Sequence, residues 1–349
     1  MTLTSIIESV FARLHIPQSL VPLAVMFVAS LVILAFILFT VLYLIYGLRK
    51  IMGWIQSRIG PNRVGPYGLA QTIADALKLL TKQDIIPANV DKWVFVIAPI
   101  VVFVPAYMVY IVIPFGKGGG WIAQDLNIGI LYIAAVTTIP ILGIIMAGWA
   151  SNNKWSLLGA YRAAAQAVSY EVPLVLAMVP PVMLAGTLSM QGIIGAQSGT
   201  FFGIFPKWFL VTQIVGFAVY MTASLAEANL VPFDIMEAES ELVAGFNAEY
   251  SGMKFAFFFL AEFASTFTIA AIGTTLFLGG WLPIHPALGF IPPIVWFFAK
   301  AVILVFVLMW IRSTLPRVRV DQMMSFGWKV LIPIALLNIV WTGAVVLLS

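Results

Sequence analysis

The residues best able to do chemistry in this chain are carboxyls placed where carboxyls are costly. Five of its fourteen acidic residues crowd the stretch from Pro232 to Tyr250: Asp234, Glu237, Glu239, Glu241 and Glu249. Long apolar runs flank that stretch, and three further carboxyls, Glu171, Glu227 and Glu262, sit inside or at the ends of such runs. Glu237 and Glu241 are spaced i,i+4, where like charges on a helix repel by roughly 0.2–0.5 kcal/mol. A charge at the centre of a bilayer costs at least about 2.5–3.5 kcal/mol. Burial disfavours the ionised form of a carboxyl, so such groups hold protons where ordinary carboxylates do not. Proton transfer through a low-dielectric interior is the chemistry these residue types and positions suit.

Two assignments compete for the three embedded glutamates. In one, Lys300, also within an apolar run, pairs with one of them and the others are protonated packing groups. In the other, Glu171, Glu227 and Glu262 form a proton-accessible chain. Three carboxyls outnumber this one cation, which favours the chain. Pro173 follows Glu171 by two residues and cannot donate to the carbonyl of Ser169, so the helix is opened beside the carboxyl. Pro180 and Pro181 repeat the disruption further along.

Membrane spans must position these groups. The 349 residues are 62% hydrophobic and 9% charged, with a mean hydropathy of +1.05. Soluble domains are nearer a quarter charged. Apolar runs of about twenty residues predict eight spans, near 20–48, 93–115, 127–150, 166–187, 206–226, 254–279, 287–311 and 328–348. The first run is too long for the core of a cleaved signal peptide and is expected to stay as a span. Fourteen of the eighteen basic residues fall in the loops after spans one, three, five and seven, whereas Arg13, Lys117 and Lys207 face the other way. The bias of positive charge toward the cytoplasm then puts those loops inside and both termini outside. The acidic stretch lies in the third of these loops. The expected fold is an all-α polytopic membrane protein of about eight transmembrane helices, in a single membrane domain covering 1–349.

The first cytoplasmic loop carries turn signals at Gly60-Pro61-Asn62 and Gly65-Pro66, predicting a non-helical hairpin that presents Arg58 and Arg63. Leu69 to Lys82 follows as an amphipathic helix, with Leu69, Ile73, Leu77 and Leu80 on one stripe and Gln71, Asp75, Lys78 and Lys82 on the other. Spacing alone favours an interfacial helix lying on lipid headgroups over a helix lining a portal between lipid and a cytoplasmic partner. The second loop, Ser151 to Gln166, reads as a connecting turn and carries Arg162 near the membrane surface. The chain has no cysteine, which excludes disulfides, iron–sulfur ligation and thiolate metal sites. Its two histidines, His15 and His285, are far apart, so no metal site is expected.

Four segments together resemble the H-type (mitochondrial ND-one type) membrane component family of proton-pumping NADH:quinone oxidoreductase, respiratory complex I. They are Gln56 to Gly68; Ser151 to Gly159; Pro232-Phe-Asp through Glu249 to Lys254; and Leu315-Pro-Arg-Val-Arg-Val-Asp-Gln322 with Ser325-Phe-Gly-Trp-Lys329. The resemblance implies one component of a multi-pass plasma-membrane complex, joining a hydrophilic arm to antiporter-like membrane subunits. It implies a quinone entrance and tunnel wall near Arg58, Arg63, Asp75 and Arg162. It implies a proton path through Glu171, Glu227 and Glu262, with Asp75 at its cytoplasmic mouth. It implies a quinone-responsive coupling loop at Asp234, Glu237, Glu239 and Glu241. Quinone is then the substrate, and FMN and iron–sulfur clusters reside in partner subunits, with no redox centre in this chain. Lipids are expected partners and nucleic acid is not. Three positions depart from the family pattern: Leu48 where it usually has Glu, Leu230 where it often has Arg, and Met236 where it commonly has Pro. A homologous anchor subunit of a membrane-bound hydrogenase, or of another ferredoxin- or cofactor-driven ion pump, is the competing assignment. The absence of an internal repeat argues against an independent antiporter.

Overall fold

The computed structural model describes residue 12 and residues 21–118, 122–201 and 205–348. Arg13, His15 and the start of the first expected span lie outside the described residues. The helices are α1 Val21–Ile55, α2 Gln71–Thr81, α3 Lys92–Met108, α4 Gly129–Thr137, α5 Ile139–Ala150, α6 Lys154–Ala185, α7 Met190–Ala196, α8 Phe209–Thr212, α9 Ile214–Glu227, α10 Glu239–Leu242, α11 Gly252–Phe277, α12 Pro293–Thr314, α13 Val320–Phe326 and α14 Ile332–Leu348. A two-residue antiparallel ladder, β1 Thr200–Phe201 with β2 Phe205–Pro206, pairs Phe201 with Phe205. The chain is an all-α polytopic membrane protein.

Among the described residues, seven helical stretches are long and apolar enough to cross a bilayer: α1, α3 with its continuation to Ile111, α4 with α5, α6, α11, α12, and α13 with α14. They match seven of the eight predicted spans. At a rise of about 1.5 Å per residue, α1 and α6 are each about 50 Å long and project past a hydrocarbon core of about 30 Å. The remaining predicted span, 206–226, is not one continuous helix. It breaks at Gln213, whose φ of −127° and ψ of 42° are non-helical, into α8 and the 14-residue α9.

The reason for the break is a buried polar staple. The Gln213 amide donates to the Thr342 hydroxyl at 2.9 Å, and its carbonyl accepts from the Asn338 amide at 2.9 Å. Gln213, Asn338 and Thr342 are all buried. A Cβ at Gly216 would meet the Asn338 amide nitrogen at 2.8 Å, so glycine there lets α14 approach. In lipid such groups have no water to turn to, so mutual satisfaction decides the geometry. Helix α6 packs against α5, α9 and α14, while α11 packs against α3 and α12. Tyr110, Tyr170 and Tyr220 are fully buried, and each hydroxyl donates to a backbone carbonyl, of Ala264, Met323 and Ile269 respectively.

Hairpin 60–68 forms as predicted. Gly68 has φ +82°, and a Cβ there would run into the Pro61 carbonyl, so both conformation and space demand glycine. Helix α2 also forms, beginning at Gln71, and Ile73, Leu77 and Leu80 with Leu69 just before it remain 42–59% exposed, a face the described residues do not cover.

Gln213→Leu strands the Asn338 amide, while the Thr342 hydroxyl keeps its bond to the Asn338 carbonyl, and is expected to cost about 1–3 kcal/mol. Adding Asn338→Leu should cost less than the two single changes summed, because the groups share one network. Thermal unfolding of the detergent-solubilised protein measures both; simple additivity would contradict the staple.

Candidate functional site

Helices α6, α9 and α11 and the loop 228–251 converge on one cavity of about 110 Å³. Glu171 on α6, Glu227 at the end of α9, Glu262 on α11 and Glu237 of the loop all line it. Thr137, Gln166, Ser224, Asn229, Ser265 and Thr268 add polar groups to its walls. The Gln166 amide donates to the Ala226 carbonyl at 2.6 Å and to Asn229 Oδ1 at 3.1 Å, fixing the end of α9 that carries Glu227. A buried water needs about 10–15 Å³ of such space, so several waters can bridge the carboxyls.

The acidic loop is folded into the protein rather than displayed on it. Leu230, Phe233, Ile235, Met236, Ala238, Leu242 and Phe246 are all buried. The loop seats on α6 at Gly159, where a Cβ would lie 2.9 Å from the Met236 carbonyl oxygen. Gly245, at φ +54°, turns beneath that same carbonyl, and a side chain there would overlap it. The Val318 N–H donates to the Pro232 carbonyl at 3.0 Å, tying the loop to the segment after α12.

The end of α12 and the segment after it supply the cations. Arg312, in the last turn of α12, donates to Glu262 Oε1 at 2.9 Å. Arg317 donates to Asp234 Oδ2 at 3.1 Å. Both carboxylates are largely buried, with side chains 12% and 16% exposed. Glu237 lies in the field of these groups and takes its hydrogen bond from the Asn247 amide at 2.6 Å. Burial is the main force raising Glu237 above its ordinary value of 4.5, and the negative charges of Glu262 and Asp234 raise it further, with Arg312 and Asn247 pulling it partly back. Burial also raises Asp234, against the lowering pull of Arg317 and Arg312. Among the described side chains three carboxyls thus face two guanidiniums, and Glu237 is the carboxyl whose hydrogen-bond partner is a neutral amide.

The other expected residues fall in different places. Arg162 pairs with Glu241 at 2.5 Å across the rim of the loop. Asp75 does not line the cavity; it is held on α2 by Arg49 at 2.5 Å and by Gln71. Arg58 and Arg63 are exposed on the hairpin, with Arg58 donating to Gln56 at 2.6 Å. The side chain of Glu239 lies outside the described residues. Leu48, Leu230 and Met236 are buried members of one apolar core.

Lys300 overturns the first of the two assignments. Its ammonium meets no carboxylate among the described residues and instead donates to three backbone carbonyls, of Leu278, Gly280 and Leu282. The cation that pairs with an embedded glutamate is Arg312. Sequence reasoning placed Arg312 and Arg317 in a loop and missed them as site residues. The signal was available for Arg312, since an arginine within the last turn of a 22-residue apolar helix needs a partner.

Arg312→Ala leaves Glu262 buried and unpaired and is expected to destabilise by about 3–5 kcal/mol. Pairing it with Glu262→Gln should recover much of that loss, read as the yield of folded protein on a native gel. Glu237 makes a second, pH-dependent test. Its folded-state pKa is raised, so the folded state binds the extra proton and stability falls as pH climbs from the ordinary carboxylate range through that raised value. Glu237→Gln should flatten this decline. Parallel stability–pH profiles for the two proteins would contradict the assignment.

Comparison with known proteins identifies the family. The profile of a family described as NADH dehydrogenase matches residues 28–343. The NADH-quinone oxidoreductase H subunit of Brevibacillus brevis is 53% identical over 319 residues, 91% of this chain and 92% of the relative. The corresponding H subunits from Dehalococcoides mccartyi and Anoxybacillus flavithermus are 50% and 49% identical, covering 91% and 92% of this chain and 86% and 94% of their own lengths. With most of its length matched at such identity, this chain belongs to the NADH dehydrogenase family, among the H subunits of NADH-quinone oxidoreductase.

Proposed function

We propose that this chain couples quinone reduction to proton translocation. Quinone takes two electrons and two protons to become quinol. The electrons come from iron–sulfur clusters in partner subunits that also carry FMN, and this chain contributes no redox centre. The quinone enters past α2 and the hairpin, along a wall that includes Arg58, Arg63, Asp75 and Arg162. The Arg49–Asp75 pair anchors α2 to α1 at that entrance. The exposed apolar stripe of α2 suits an isoprenoid tail or lipid on one side and a component of the hydrophilic arm on the other.

The observation that carries this proposal is the imbalance around Glu237. Glu262 and Asp234 each pair with a guanidinium, whereas Glu237 is held by the Asn247 amide. An anionic intermediate of quinone reduction near the loop favours a protonated Glu237, and its conversion to neutral quinol releases that preference. Glu237 shares a hydratable cavity with Glu262, Glu227 and Glu171. A proton taken up or released at the loop therefore has carboxyls to exchange with, leading toward antiporter-like membrane partners. Asp234, Glu239 and Glu241 complete the coupling loop. The acidic-loop end faces the cytoplasm in this proposal, with both termini outside the plasma membrane, following the bias of its basic residues.

Glu227→Gln is the direct test. It removes a titrating group from the cavity wall at nearly constant volume. The assembled complex should form normally on a native gel, while NADH-driven quinone reduction and proton pumping fall by roughly tenfold or more. Unaltered activity in the purified complex would end the assignment of Glu227 to the path.

A further inference from the structure

We infer that Lys300 is a fixed positive barrier that closes the far end of the carboxylate cavity to protons. The inference rests on the proton path proposed above. Lys300 is 4% exposed on α12, near the end of the bundle opposite the acidic loop. Twelve residues separate it from Arg312 on the same helix, about 18 Å along the axis. Gly279 and Gly280 have φ of +69° and +52°, which turn the chain after α11 so that three carbonyls converge on the ammonium. The bonds to Leu278, Gly280 and Leu282 are 2.7, 2.9 and 2.6 Å. The Trp208 ring lies over the same nitrogen at 4.3 Å. An ammonium has three donors, and all three are met, which is the geometry of a cation at rest rather than of a group passing its proton on.

The placement relative to the cavity gives the charge its use. Ile272 lines the cavity on α11, and Leu278 lies six residues further, about 9 Å along the helix. Between them Leu276 and Phe277 are fully buried, with Phe277 packed against Phe217 and Tyr220. A proton leaving the cavity in that direction meets an apolar layer and then a buried cation. The carbonyl end of α11 offsets roughly half a charge, and the three carbonyls with the Trp208 ring favour the ammonium over the neutral amine. A positive site in such a position excludes cations and protons from a narrow path.

The test uses the whole complex reconstituted in liposomes with pyranine inside. A potassium diffusion potential set with valinomycin drives passive proton uptake without NADH. Lys300→Gln should raise that uptake about three- to tenfold, with Lys300→Arg close to the unmodified complex and quinone reduction preserved in both. Native leakage in an assembled Lys300→Gln complex overturns the barrier. Should Lys300→Gln fail to assemble, Leu304→Glu sets a carboxylate one helical turn from Lys300 and keeps its carbonyl partners. Raised leakage then supports the barrier, and native leakage overturns it. Adding Glu227→Gln separates the two claims. Leakage that falls back supports both barrier and path, whereas leakage that persists keeps the barrier and overturns the carboxylate path.

Discussion

Two carboxylates held by two guanidiniums, with a third carboxyl held beside them by an amide, set the terms for the acidic end of this protein. Arg312 pairs with Glu262 and Arg317 pairs with Asp234. Removing both cations would leave buried anions whose desolvation outweighs any packing the loop could offer. With both present, the described carboxylates of the cluster still outnumber its guanidiniums by one. The shortfall settles on Glu237, which is held by an amide. Stability and responsiveness therefore come from the same arrangement: the ion-paired acids hold the loop down, and the amide-bonded one remains free to change its proton.

The rest of the fold is the scaffold for that arrangement. Loop 228–251 reaches α6 because Gly159 and Gly245 clear space around the Met236 carbonyl. It reaches the segment after α12 through the Val318–Pro232 backbone bond. Tyr250 stacks on Phe95 at 4.0 Å, and Lys254 pairs with Asp84, so the loop's far end is fixed to α3 and to the strap after α2. At the opposite end of the bundle the polar groups are arranged differently. There the staple of Gln213, Asn338 and Thr342 and the carbonyl cage of Lys300 contain no carboxylate. One end of the bundle carries ion-paired carboxylates, whereas these two clusters at the other are built from amides, a hydroxyl, backbone carbonyls and an ammonium.

Much of this was legible in the residues, and the exceptions have physical causes. Apolar run length located seven spans because hydrophobicity is a local property of sequence. It gave no sign of the break inside 206–226, where an apolar helix does form, because one glutamine hardly lowers the hydropathy of a twenty-residue window, yet its side chain is committed to α14, some 125 residues away. Glu171, Glu227 and Glu262 could be grouped from their positions within spans, and they do line one cavity. Their cations could not be. Arg312 lies 50 residues from Glu262 and Arg317 lies 83 from Asp234, and no periodicity links such pairs. Lys300 misled for a related reason: a sequence displays possible carboxylate partners but not backbone carbonyls, which every residue carries. Asp75 was grouped with the mouth of the path, but its nearest cation, Arg49, keeps it on the outer helix α2.

The central claim is that Glu237 changes its proton when the quinone site changes state. Infrared difference spectra of the purified complex, recorded as a quinone-site inhibitor binds or as quinone is reduced, measure this directly through the carboxyl C=O band. A band should appear or shift in the native protein and vanish in Glu237→Gln, with Glu241→Gln leaving it in place. A difference band that persists in the Glu237→Gln complex would contradict the account.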